Sequence, residues 1–145
     1  MNLHSNVKRI AEAFEKHKVE YMFIGMTAAI LQGFPGETED IDVCPAEGIQ
    51  NRERIVAALK DLEFKMEDYK MKAILFGDNI IKFEEPFLFD LMFTPGDFPT
   101  YQDAAKYRKI TWNVPVMSIS GVVRTKKAAG RPKDRLIIPQ LEQYI

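Results

Sequence analysis

Tyr21-Met22-Phe23-Ile24-Gly25-Met26-Thr27-Ala28-Ala29, then Gly33, then Thr38-Glu39-Asp40-Ile41-Asp42, is the stretch on which the fold turns. Val19 to Ile24 is a short apolar and aromatic run that reads as a buried strand ended by Gly25. Thr27 to Leu31 reads as a short helix closed by Gly33, and Phe34-Pro35-Gly36-Glu37 carries the turn chemistry of a loop. Asp40 to Cys44 is the next strand, stopped by Pro45. Side chains two apart in a strand share a face, so Asp40 and Asp42 project together while Ile41 points the other way. Two carboxylates held close repel unless a cation lies between them, and such oxygen donors suit Mg²⁺. For a bare Asp-x-Asp, an exposed strand end with no ligand is the competing reading.

Asp90 shifts the balance. It sits inside Phe87-Leu88-Phe89-Asp90-Leu91-Met92-Phe93, where every other residue is apolar. An ionised carboxylate is expensive to bury unless a cation or metal compensates it. The alternatives for Asp90 alone are a buried salt bridge or a wet strand edge. Together with the Asp40/Asp42 strand, metal binding is favoured.

Further out, residues 3–17 read as an amphipathic helix with Asn2 as cap, and residues 49–62 as a second one. Short strands are expected at 64–69, 72–76, 79–84 and 87–93, with Gly77-Asp78-Asn79 as a hairpin turn. Residues 101–107 look helical and 109–117 extended around Pro115. Ser118 can cap a helix running to Ala129 and ended by Gly130. Pro132 opens a last helix that Pro139 should kink or cut short. The order predicts a single α/β (α+β) domain over residues 1–145, with a mixed central sheet flanked by helices.

The chain has 145 residues, 46% hydrophobic and 28% charged, which is globular composition rather than disorder. The N-terminus has no basic segment leading into an apolar run, and no apolar stretch is long enough to span a membrane. With one cysteine, Cys44, and no internal disulfide, the expectation is a cytoplasmic protein, not a secreted or membrane one. Charge is uneven: residues 1–100 carry 11 Lys/Arg against 18 Asp/Glu, and residues 101–145 carry 9 against 3. A basic part facing an acidic part can hold phosphate beside metal, although a solvated basic helix explains the same numbers. His4 and His17 lack ligand spacing and read as surface residues; Cys44, Trp112 and the phenylalanines read as core.

The motifs from Tyr21 to Ala29, at Gly33 and from Thr38 to Asp42, with Asp90 downstream, resemble the nucleotidyltransferase superfamily that includes DNA polymerase beta. Its pattern is a strand ending in Gly-Gly or Gly-Ser, a helix, Asp-x-Asp on the next strand and a later third acid. The tail Val122-Val123-Arg124-Thr125-Lys126-Lys127-Ala128-Ala129-Gly130-Arg131-Pro132-Lys133-Asp134 is similar to a bacterial and archaeal branch. That branch includes toxin–antitoxin and abortive-infection nucleotidyltransferases.

The resemblance implies a nucleotidyltransferase fold and transfer of a nucleoside monophosphate from a nucleoside triphosphate to an acceptor hydroxyl. The acceptor would be a protein, a tRNA or a small molecule. Asp40, Asp42 and Asp90 would be the catalytic, metal-binding residues, holding two Mg²⁺ or Mn²⁺ ions, with Asp90 helping to deprotonate the acceptor. Gly25, Met26, Thr38, Lys126 and Arg131 would meet the nucleotide. A homodimer and a partner protein are both compatible with it. Two departures stand out. Met26 occupies the place of the usual small residue, and Glu37 stands where many relatives carry Arg. They keep open a second reading, a degraded nucleotidyltransferase serving as a binding module or antitoxin. A metal-dependent phosphodiesterase is a weaker third.

Overall fold

The structure is a computed structural model describing residues 2–77 and 79–145. Its elements, in chain order, begin with α1 (Leu3–Lys16), β1 (Tyr21–Phe23), α2 (Gly25–Leu31), β2 (Ile41–Pro45) and α3 (Ile49–Asp61). They continue with α4 (Asp68–Phe76), β3 (Ile80–Phe83), β4 (Phe89–Met92) and α5 (Tyr101–Ala104), which runs into a 3₁₀ turn. The chain closes with β5 (Arg108–Thr111), β6 (Val114–Met117), α6 (Ile119–Ala129) and α7 (Pro132–Glu142). Six strands form one sheet in the order β3-β4-β2-β1-β6-β5. The β2/β4 and β1/β6 pairs are parallel and the others antiparallel, so the sheet is mixed as predicted.

Local sequence explains the frame. Asn2 caps α1 by accepting the Ser5 N–H. Val7, Ile10, Ala13 and Phe14 form the buried face of that helix at helical spacing. The α1 side of the sheet is aromatic: Phe14 packs edge-on against Tyr21 and Phe89, and Phe64 against Phe83 and Phe87. Each such ring contributes roughly 1.5–3 kcal/mol by leaving water. On the opposite side, α2, α6 and α7 pack together over the sheet. This leaves Ile41 and Val43 in the core, and Asp42 on the face that α2 covers. No helix among the described residues is long and apolar enough to cross a membrane.

Several expectations are corrected. The strands expected at 64–69 and 72–76 do not form; residues 68–76 are the helix α4. The apolar run Ala73-Ile74-Leu75-Phe76 is short enough to suit either conformation, and Asp68 in the first turn favours the helix through its dipole. The turn expected at Gly77-Asp78-Asn79 falls partly outside the described residues, while Gly77 ends α4. The extended segment 109–117 is a hairpin, with Trp112 and Asn113 at φ +54 and +60 in its two-residue turn. Trp112 is therefore not core: it is 75% exposed, with its indole N–H donating to the Leu31 carbonyl. Phe76 is also exposed at the end of α4; the other nine phenylalanines are buried. Pro139 does not end α7, which continues to Glu142 with Pro139 on its exposed side. The carbonyl it leaves without a helical partner can turn to water there.

Candidate active site

Strand register assembles the acidic site. Asp42 pairs with Asp90 across the parallel β2/β4 ladder, and Asp90 pairs with Lys82 across the antiparallel β3/β4 ladder. The three side chains form a row on one face of the sheet. Asp40, one residue before β2, stands exposed at the mouth. All four line a cleft of about 600 Å³ together with Gly25, Met26, Thr38, Thr125, Lys126, Arg131 and Lys133. The structure thus gathers every site residue expected from the sequence around one cleft, and adds Lys82, Thr125 and Lys133.

The Asp-x-Asp segment is pinned from behind. Thr27 is fully buried; its hydroxyl donates to the Asp40 carbonyl at 3.2 Å and accepts the Asp42 N–H at 3.3 Å. Thr38 donates to the same Asp40 carbonyl at 3.2 Å. Gly25 has φ +61, and a Cβ there would sit 2.9 Å from Asp42 Oδ2. Only glycine takes that conformation freely and also admits the carboxylate so close to the backbone. The glycine after β1 and the aspartate on β2 are thereby one structural unit. No side chain caps α2, whose first residues Gly25 and Met26 line the cleft.

Electrostatics follow from the row. Burial, then the facing Asp90 carboxylate, then Asp40, push the Asp42 carboxyl from 3.8 up to about 7. Lys82 Nζ lies 3.1 Å from Asp90 Oδ2, and that hydrogen bond raises the Lys82 ammonium above its ordinary value. Across the cleft, Asp134 is fully buried and accepts from Arg131 Nε at 2.8 Å and Nη2 at 3.2 Å. Lys126 Nζ is 3.5 Å from the same carboxylate. The Arg131 hydrogen bond holds the Asp134 carboxyl below its usual range. Asp134 also accepts the Arg131 backbone N–H at 3.1 Å, closing the first turn of α7. One buried acid therefore fixes two cations at the rim of the acidic cleft.

The donor set fits a divalent cation. Among the described residues no three His, Cys, Asp or Glu side chains are gathered as a ready-made metal cage. Mg²⁺, however, is commonly held by one or two carboxylates, with waters and phosphate oxygens completing its shell. Asp42 and Asp90, paired across the β2/β4 ladder, supply that number.

Met26 lies between the core and the cleft. It is half-buried against the core, lines the cleft, and carries its methyl toward Gly36, 3.6 Å from where a Cβ there would lie. Behind the same loop is a larger cavity of about 830 Å³, lined by Asn6, Ile30, Glu37, Glu39 and Leu88 among others, with Thr38 common to both. The Asn6 amide nitrogen there is buried without a hydrogen-bond partner. Of the weaker candidates, His4 is exposed, His17 sits against Asp61 at 2.6 Å, and Cys44 is buried.

No family model matches the sequence, and no curated protein matches it. Solved structures do. A Thermotoga maritima protein provisionally named a nucleotidyltransferase aligns with TM-score 0.61 and 16% identity, over 97% of this chain and 92% of its own. The lincosamide antibiotic adenylyltransferase LnuA, in a lincomycin-bound structure, aligns with TM-score 0.67 and 17% identity, over 97% of each chain. At these identities the likeness shows the fold, which is that of the nucleotidyltransferases.

Proposed function

We propose that the chain transfers a nucleoside monophosphate from a nucleoside triphosphate to an acceptor hydroxyl. The observation that carries this reading is the pairing of Asp42 and Asp90 on adjacent strands, faced across one cleft by Lys126, Arg131 and Lys133. Asp42 and Asp90, with Asp40 at the mouth, would hold the divalent ion. When bound, such an ion neutralises charge on the transferring phosphoryl group and on the attacking and leaving oxygens. Lys126 and Arg131, fixed by Asp134, meet the triphosphate as pre-positioned cations, so little side-chain ordering is needed on binding. Gly25 lets the chain pass close to Asp42, and Thr27 sets the height of the Asp-x-Asp segment. Asp90 would take the proton of the acceptor hydroxyl.

The acceptor enters through the cavity beyond Thr38, where Glu37, the departure from the usual Arg, supplies negative charge on the acceptor side. A small molecule suits its volume and is supported by the likeness to LnuA, whose structure holds lincomycin. The Val122 to Asp134 tail is the ground for relating the chain to the toxin–antitoxin and abortive-infection branch. The free, buried Cys44 is consistent with a cytoplasmic site of action.

A second reading, a nucleotide-binding module without turnover, is favoured by Lys82 lying on Asp90 and by Met26 lining the cleft. An assay with α-labelled nucleoside triphosphate separates the two. Pyrophosphate release with label moving to a small-molecule, tRNA or protein fraction supports transfer; tight binding with no label moved supports the module.

Met26→Gly is expected to tighten nucleotide binding by no more than about threefold, because the thioether leans on the Gly36 loop. It is also expected to cost about 1 kcal/mol of stability through glycine in a helix. Competition binding and urea unfolding check both. A hundredfold gain in affinity would show that Met26 blocks the phosphate site.

A further inference from the structure

Lys82 was not anticipated from the sequence, yet its position is dictated. It pairs with Asp90 across the β3/β4 ladder, and its neighbours Ile81 and Phe83 are buried on the opposite face. A one-residue slip would drive an ammonium into the aromatic core, so the register cannot wander. Among the described residues, Lys82 is the one cation at ion-pair distance from Asp40, Asp42 or Asp90; the neighbouring Lys126 and Arg131 are engaged by Asp134.

Three carboxylates and one ammonium leave a net charge of −2 in this row and its mouth, which a single divalent ion balances. A second divalent ion would have to approach Asp90 against an ammonium already seated 3.1 Å from its Oδ2. We propose that Lys82 fills the place of a second cation, so that the cleft takes one divalent ion where the resemblance implies two. This rests on the reading of the cleft as a divalent-metal site. An ammonium is a point charge with three donors: it can hold a phosphate or carboxylate oxygen in place. It cannot take several oxygens into one coordination shell as a metal does.

The test is uptake of Mn²⁺ alone, followed by the electron paramagnetic resonance signal of the free ion, for the wild type, Lys82→Gln and Lys82→Arg. The Lys82 side chain is 70% exposed, so its replacement leaves the core intact. Lys82→Gln is expected to take up one ion more than the wild type. Its first ion should also bind about tenfold tighter, the scale of one unit charge at ion-pair distance in a partly solvated cleft. Lys82→Arg is expected to match the wild type. Equal counts and affinities in Lys82→Gln and the wild type, or two ions in the wild type, would overturn the role of Lys82 alone. No uptake by any of the three would overturn the metal reading of the cleft and this inference with it.

Discussion

Asp42→Asn is expected to abolish metal-dependent nucleotide binding and to lower nucleotidyl transfer by at least about 10³-fold, or roughly 4 kcal/mol of transition-state stabilisation. Asn keeps the shape that fits beside Gly25 and the Thr27 hydrogen bond to the Asp42 backbone. It removes the charge and half of the paired donor set. The same substitution should stabilise the metal-free protein at pH 8. Asp42 is held up from 3.8 to about 7 by burial, Asp90 and Asp40. Between those values the folded state keeps a proton that the unfolded state has lost, so wild-type stability falls as pH rises through that window. The fall is bounded at roughly 4 kcal/mol. Thermal unfolding in chelator at pH 5 and pH 8 reads this directly. The wild-type midpoint should drop more than that of Asp42→Asn, and Mg²⁺ should return much of the difference. Identical pH profiles for the two proteins would show that Asp42 carries no buried charge.

Asp134→Ala is the second large effect. This carboxylate is fully buried and serves three groups: the Arg131 backbone and guanidinium, and Lys126, whose side chain is only 15% exposed. Removing one member of a buried ion pair leaves charge uncompensated, and the expected loss is about 2–3 kcal/mol, at the lower end because Arg131 is itself half-exposed. Urea unfolding measures it. Nucleotide affinity should fall about tenfold, as two charge-assisted contacts lose their fixed positions. Since Arg131 holds the Asp134 carboxyl low, its contribution is present above the usual carboxylate range and lost as pH falls through the depressed value. Asp134→Ala should accordingly flatten the acid limb of stability. An unchanged acid limb with unchanged nucleotide affinity would leave Asp134 a helix cap only.

What could be read from the sequence was whatever short-range spacing encodes. The Asp-x-Asp period, the anomalous acid inside an aromatic strand, and the glycine at a strand-to-helix corner all point to the cleft before any coordinates. Long-range register was not readable. Lys82 becomes meaningful only when β3 is laid antiparallel to β4, although a lone cation in Ile80-Ile81-Lys82-Phe83 mirrors the lone acid in the next strand. That mirror was the available signal. The burial of Asp134 was not readable, because it depends on α6 and α7 packing together. The Trp112-Asn113 turn lacked the glycine that usually announces a two-residue hairpin, and an indole suggested core. Helix α4 was missed because an apolar run of four residues has no decisive period.

The most direct test of the cleft as a metal-dependent nucleotide site is a calorimetric titration of a non-hydrolysable nucleoside triphosphate into the wild-type protein, with Mg²⁺ and with chelator. Saturable binding with Mg²⁺ that disappears in chelator, and in Asp42→Asn under both conditions, is the expected result. Binding of equal strength with and without Mg²⁺, or no binding in either, would contradict it.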